Sequence, residues 1–302
     1  MANQRIVNTD PIILSQNELE ELVDKKATCP FIGTAVMARE LPVRNNAHQP
    51  LASIEDVVRL GNLGGGDLGQ VLEIFAKGNH AFMLGNPNKL DKPVPADQFS
   101  LDFPSSQGSH SGHSGILQGD PRVLDSGRFS LKDFKRLTDK ATNGLITLSA
   151  VGKFIAENLD LDTTSKVDEP DLVFVFGKDL VETALQGGAF LFEQLTNVVT
   201  GKNMSDEARK LAEKMTKLAG ENNLLGSAGE FGLLFAFFAN KPGAQMVESE
   251  PALSVEDLTL IFEHKQFPPG WKTWKKTASS WVTNTIHLVA SAIKEFEKLP
   301  HA

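Results

Sequence analysis

Tyrosine is absent from this chain, and cysteine occurs once, at Cys29. A single cysteine excludes an intrachain disulfide and leaves Cys29 as a small buried hydrophobe, an incidental thiol, a nucleophile or a metal ligand. Nineteen phenylalanines stand beside the missing tyrosines, a balance that suits an oxidising site without easily oxidised phenols and equally suits plain packing. Nowhere do eighteen apolar residues run together, and the N-terminal MANQRIVNTDPIILSQNELEE carries no apolar core of signal-peptide length, so neither a membrane span nor export is expected. The expected location is cytoplasmic. Basic clusters are also missing, and the formal charge of −8 argues against nucleic acid or an anionic membrane as partner.

What is present is the composition of a soluble globular protein, 41% hydrophobic and 23% charged over 302 residues, read as a single domain spanning 1–302. Helix signals dominate. Ser15 and Glu18 have capping-box spacing, and Ser53 is placed as an N-cap with Asp56 at the third position. Apolar residues recur at helical spacing over 67–83, 130–139, 147–159, 178–200, 205–219, 228–239, 254–265 and 277–297. Long alternating strands are lacking, so the fold class is mainly α. The stretch from Gly85 to Gly115, rich in Gly, Ser and Pro and ending near His110 and His113, reads as one long loop, and loops of that length are functional or disordered. A shorter linker, ANKPGAQMVESEPAL, follows the helix at 228–239.

Two segments, DSGRFSLKDF and DKATNGLITLSAV, resemble calcium loops, but their ligand positions fail. With Gly144 at the sixth position, Ala141 and Ala150 fall at the third and twelfth. With Gly127 there, Arg122 and Leu124 fall at the first and third. They read as connections between helices.

Cys29 precedes Pro30, which can open a helix without loss of a hydrogen bond, so free amides and the positive end of the dipole would face the sulfur and favour its thiolate. A thiolate so placed suits either a nucleophile or a ligand to haem iron. A cysteine hydrolase would also need a histidine base and an orienting Asn or Asp, and no local hydrolase signature accompanies Cys29. Glu230, alone in the apolar run EFGLLFAFF, must be partnered or have its pKa raised by desolvation, and either suits a proton carrier. A solvated place at a helix N-terminus is the bland alternative.

Three separated segments resemble the haem-thiolate peroxidases, the family of chloroperoxidases and unspecific peroxygenases. They are Cys29-Pro30 with the following Leu41-Pro42 and Ser53-Ile54-Glu55, then GEFGLLFAFF at 229–238, then FEHKQFPPGWKTW at 262–274. More loosely, HSGHSGILQGDPRVLDSGRFS is similar to the family's distal Glu-His-Asp region. The chain departs from the pattern at Thr28, where the family has a proline, at Gly33 and Arg39, where it has Asn and His-Gly, and at Gly112 or Ser109, where it has a cation-binding glutamate.

The resemblance implies a multi-helix domain that encloses haem b, with the 85–115 loop over its distal side. It implies Cys29 as proximal iron ligand and Glu230 as distal acid–base, with His113 or His110 beside it. Phe231 and Phe235 would line a substrate channel, and a Mg or Mn ion near a haem propionate would need Ser114, Asp120 or a carbonyl in place of the missing glutamate. The implied function is a peroxidase or peroxygenase that uses hydrogen peroxide or an organic hydroperoxide on a small apolar organic substrate. An all-α carrier with an apolar pocket and a structural cysteine is the alternative.

Overall fold

A computed structural model describes residues 10–27, 29–45, 49–73, 75–77, 94–101, 116–118, 128–161, 224–296 and 298–299. Helix α1 (Gln16–Lys25) starts where the Ser15 amide donates to the Glu18 carboxylate at 2.7 Å, and the Glu18 amide returns to the Ser15 hydroxyl. That reciprocal pair is the capping box the spacing predicts. Leu19, Leu22 and Val23 face inward, and helix α2 (Pro30–Met37) crosses so near them that a Cβ on Gly33 would lie 2.6 Å from the Ala27 carbonyl oxygen. The side chains of α2 from Pro30 to Val36 are buried.

Strands β1 (Arg44–Asn45), β2 (Pro50–Ser53) and β3 (Gln98–Ser100) form an antiparallel sheet in the order β1-β2-β3. The strand at Gln98–Ser100 corrects the reading of 85–115 as one irregular loop: Phe99 pairs with Ala52, and both are buried. Three residues are too few for alternation to show. Helix α3 (Ile54–Gly61) is capped by Ser53, whose hydroxyl accepts from the Glu55 amide at 3.2 Å. Asp56, expected in the cap, instead binds Arg44 at 2.9 Å. Residues 69–73 and 75–77 are helical, within the expected 67–83.

Strands β4 (Leu117–Gln118) and β5 (Arg128–Phe129) pair ahead of helix α4 (Leu131–Thr138). A turn through Asn143 and Gly144 leads into β6 (Leu145–Thr147) and helix α5 (Leu148–Leu161). Helix α6 (Leu224–Phe238) is apolar on nearly all sides, the mark of a helix surrounded by core. After it, β7 (Gln245–Val247) and β8 (Glu250–Ser254) form a hairpin, and β8 also pairs with β6. The segment expected as a linker therefore carries two strands. Its turn residues Glu248 and Ser249 both have positive φ, 49° and 71°, a conformation usually signalled by Asn-Gly.

Helix α7 (Val255–Phe262), a short 3-10 turn at Trp271–Thr273 and helix α8 (Ala278–Phe296) complete the described chain. The Asp67 carboxylate accepts from the Ala278 amide at 2.8 Å, a negative charge at the N-terminus of α8. Helix α8 packs between α5 and α6 at two glycines: a Cβ on Gly152 would lie 2.2 Å from the Ser291 hydroxyl, and one on Gly232 2.2 Å from that of Thr285. The fold is mainly α, and the described residues include three small antiparallel sheets at the ends of the helices. Among the described residues, no helix is long and apolar enough to cross a membrane. The helices expected at 178–200 and 205–219 lie outside the described residues.

Candidate functional site

Cys29 is the N-cap of α2, with Pro30 at the first helical position and the Cys29 carbonyl accepting from the Gly33 amide at 2.7 Å. Its side chain opens into a cavity walled by Pro30, Phe31, Ile32, Val57, Leu72, Phe75, Ala76, Phe99, Ile116, Phe231, Leu233, Leu234 and Phe262. One carboxyl group joins this apolar lining, that of Glu230. The cavity holds about 720 Å³ of atom-free space counted to its open mouth, but only about 70 Å³ where the centre of a water molecule fits.

Helix α6 begins at Leu224, a turn earlier than the sequence suggests, so Glu230 sits in its second turn rather than at its N-terminus. It is half-buried on the face that also carries Leu233 and Leu234. Phe231 is 2% exposed, lines the cavity and meets Phe154 edge-on at 6.2 Å. Phe235 does not line it. At 100° per residue it lies about 140° round the helix from Glu230, and it faces a separate hollow with Met246, Leu253 and Ser280.

Burial in the apolar wall pushes the Cys29 thiol up to about 12. The amides of Ile32 and Phe31 pull it down, the Glu230 charge pushes it further up, and the Lys265 charge pulls it down. The expectation that the helix N-terminus would favour a free thiolate is thus corrected: the amides act as expected, but desolvation outweighs them. An unliganded Cys29 is a protonated thiol at neutral pH, and this argues against a nucleophile. The described histidines, His264 and His287, are both exposed and neither lines the cavity.

Lys265 is the charged neighbour that the sequence did not single out. Its ammonium donates to the Phe262 carbonyl at 2.9 Å and lies 5.3 Å over the Phe129 ring. Desolvation lowers its pKa to about 8, against the opposing pull of Cys29 and Asp24. Phe262 lines the cavity, so Lys265 is tied to the wall from behind. Its signal was its place inside the family-like segment 262–274. The other wall residues from the helical stretch 69–77, Leu72, Phe75 and Ala76, had no such signal, since an apolar helix face looks the same over a cavity as over core.

Among the described residues, no group of three or more His, Cys, Asp or Glu could hold a metal ion. A metal at Cys29 would therefore have to bring most of its own ligands, as iron in a macrocycle does. One soft sulfur donor, a carboxyl in the same lining and apolar walls form a donor set that fits such a group. His110, His113, Ser114 and Asp120 lie outside the described residues.

No protein-family model matches the chain, and no curated protein or solved structure is similar enough to count as a match.

Proposed function

We propose that the protein is a haem-thiolate peroxidase or peroxygenase that cleaves hydrogen peroxide or an organic hydroperoxide and oxidises a small apolar organic substrate. The observation that carries this reading is that Cys29 and Glu230, far apart in the sequence, line one otherwise apolar cavity. Haem iron bound to a thiolate supplies O–O bond cleavage, because electron density from sulfur favours heterolysis. Cys29 is the residue that would hold the iron, and iron would reverse the thiol's raised pKa, since a coordinated sulfur loses its proton outright.

Glu230 takes the proton from the inner oxygen of the peroxide and returns it to the outer oxygen, which leaves as water or alcohol. The half-buried setting suits that exchange. His113 or His110 is the proposed hydrogen-bond partner of this carboxylate, on the resemblance. Phe75, Phe99, Phe231 and Leu234 give an apolar substrate its binding surface and keep bulk water from the reacting oxygens.

The apolar lining also favours a carrier without chemistry. The two readings separate when the purified protein is titrated with haem and then mixed with hydrogen peroxide. A stoichiometric Soret band together with substrate-dependent peroxide consumption supports the peroxidase, and a protein that takes up apolar ligands but no haem is a carrier.

A further inference from the structure

Trp281, in the first turn of α8, is 7% exposed, and its indole Nε1 donates to the Gly229 carbonyl oxygen at 2.9 Å. That oxygen belongs to the peptide unit whose nitrogen is the Glu230 nitrogen. A carbonyl has two lone pairs, so it can accept the indole hydrogen and still take part in the helix. The bond therefore fixes the peptide plane from which the Glu230 side chain departs. It comes from a different helix.

Three further contacts hold the same segment. The Trp281 ring meets Phe75 edge-on, with centroids 6.2 Å apart and planes at 79°, and Phe75 lines the cavity. The same Phe75 ring reaches back towards α6, where a Cβ on Gly229 would lie 4.0 Å from its Cζ. Three residues beyond Gly229, the contact of Gly232 with Thr285 sets the distance between α6 and α8. The segment that carries Glu230 is thus held by the indole, by the cavity wall and by the helix contact. A buried indole needs an acceptor in any fold, but a carbonyl of the core helix away from the acid would serve that need equally well.

We infer that Trp281 is the positioning residue for Glu230, holding its carboxyl in register with the peroxide, an inference that rests on the reading of Glu230 as proton carrier. A displacement of about 1 Å in such a group costs on the order of a hundredfold in rate. The donor, rather than the ring, does this.

The test replaces Trp281 in two ways: Trp281→Phe, and site-specific incorporation of benzothienylalanine, which keeps the shape of tryptophan with sulfur in place of N–H. The second variant retains the packing if the first fails to fold. In the haem-free protein, the infrared band of the Glu230 carboxyl is identified by its loss in Glu230→Gln. It should shift in the benzothienylalanine protein. In the haem-loaded protein, peroxide cleavage should slow by roughly ten- to a hundredfold, with haem content and the thiolate spectrum unchanged. An unshifted band and an unchanged rate would overturn the inference. If Glu230→Gln itself cleaves peroxide at the parent rate, the proton-carrier reading fails instead. The infrared shift then still decides whether Trp281 positions the carboxyl.

Discussion

The charge of Glu230 on α6 acts on the sulfur of Cys29 at the start of α2: after desolvation, which is the larger cause, and against the amides of Ile32 and Phe31, the carboxylate pushes the thiol further towards its pKa of about 12. Two groups whose charges oppose each other at this cavity would be reconciled by a cation bound at the sulfur. In the haem-free protein, Cys29 should therefore alkylate slowly with iodoacetamide. At pH 8 the rate should be lower than that of a free thiol by on the order of a hundredfold or more, because the thiolate fraction is so small. The rate should climb with pH throughout the alkaline range, and Glu230→Gln should speed it. Rapid alkylation at neutral pH would restore the nucleophile reading.

Glu230→Gln keeps the size and hydrogen bonding of the side chain but cannot carry the proton. Haem content and the thiolate spectrum should survive, while peroxide cleavage in stopped flow should fall by about 10²–10⁴-fold. Parent-like cleavage would make Glu230 structural and assign the proton to another group.

The parts of this site that the sequence revealed share one property: their chemistry conflicts with their surroundings. A cysteine ahead of Pro30 and a glutamate inside EFGLLFAFF both stand out locally, and the structure brings them to one cavity. Phe75 and Trp281 were invisible because their roles come from contacts between elements, with nothing unusual in the residues beside them. The hairpin at Gln245–Ser254 was hidden for a different reason, since Glu248 and Ser249 hold positive φ without the residues that usually advertise it. Burial also reversed an electrostatic expectation. The helix N-terminus at Cys29 was legible, but how deeply the sulfur is desolvated depends on the apolar wall that tertiary structure assembles around it.

The α6–α8 contact predicts a cost for the smallest possible insertion. In Gly232→Ala the new methyl would meet the Thr285 hydroxyl at 2.2 Å and its backbone nitrogen at 3.1 Å. Overpacking of this kind costs about 1–3 kcal/mol, readable as a lower urea midpoint. Adding Thr285→Ala should recover part of the loss, and a double variant no more stable than Gly232→Ala would show that the contact is more yielding than it looks.

Lys276 is fully buried, with its ammonium donating to the carbonyls of Trp271 at 2.7 Å and Trp274 at 2.8 Å and lying 5.2 Å over the Phe237 ring. Desolvation lowers its pKa to about 8, against about 10.4 in an unfolded chain. Between those values the unfolded state holds more protons, so stability rises with pH through this window, and the full penalty applies below it. Urea unfolding at pH 8, 9 and 10 should show that rise. Lys276→Met should reduce it, leaving the rise from Lys265, whose pKa is also lowered to about 8, set against the fall from Cys29, whose thiol is raised to about 12 and acts with the opposite sign. An identical rise in the variant would mean that Lys276 stays charged throughout.

The most direct test of the whole account is the absorption spectrum of the haem-loaded, reduced protein under carbon monoxide. The account predicts one haem per chain and the red-shifted Soret band of thiolate ligation, lost in Cys29→Ala, with the parent and Glu230→Gln alike. A Soret band of the histidine-ligated kind that persists unchanged in Cys29→Ala, or failure of the folded parent to bind haem at all, would contradict it.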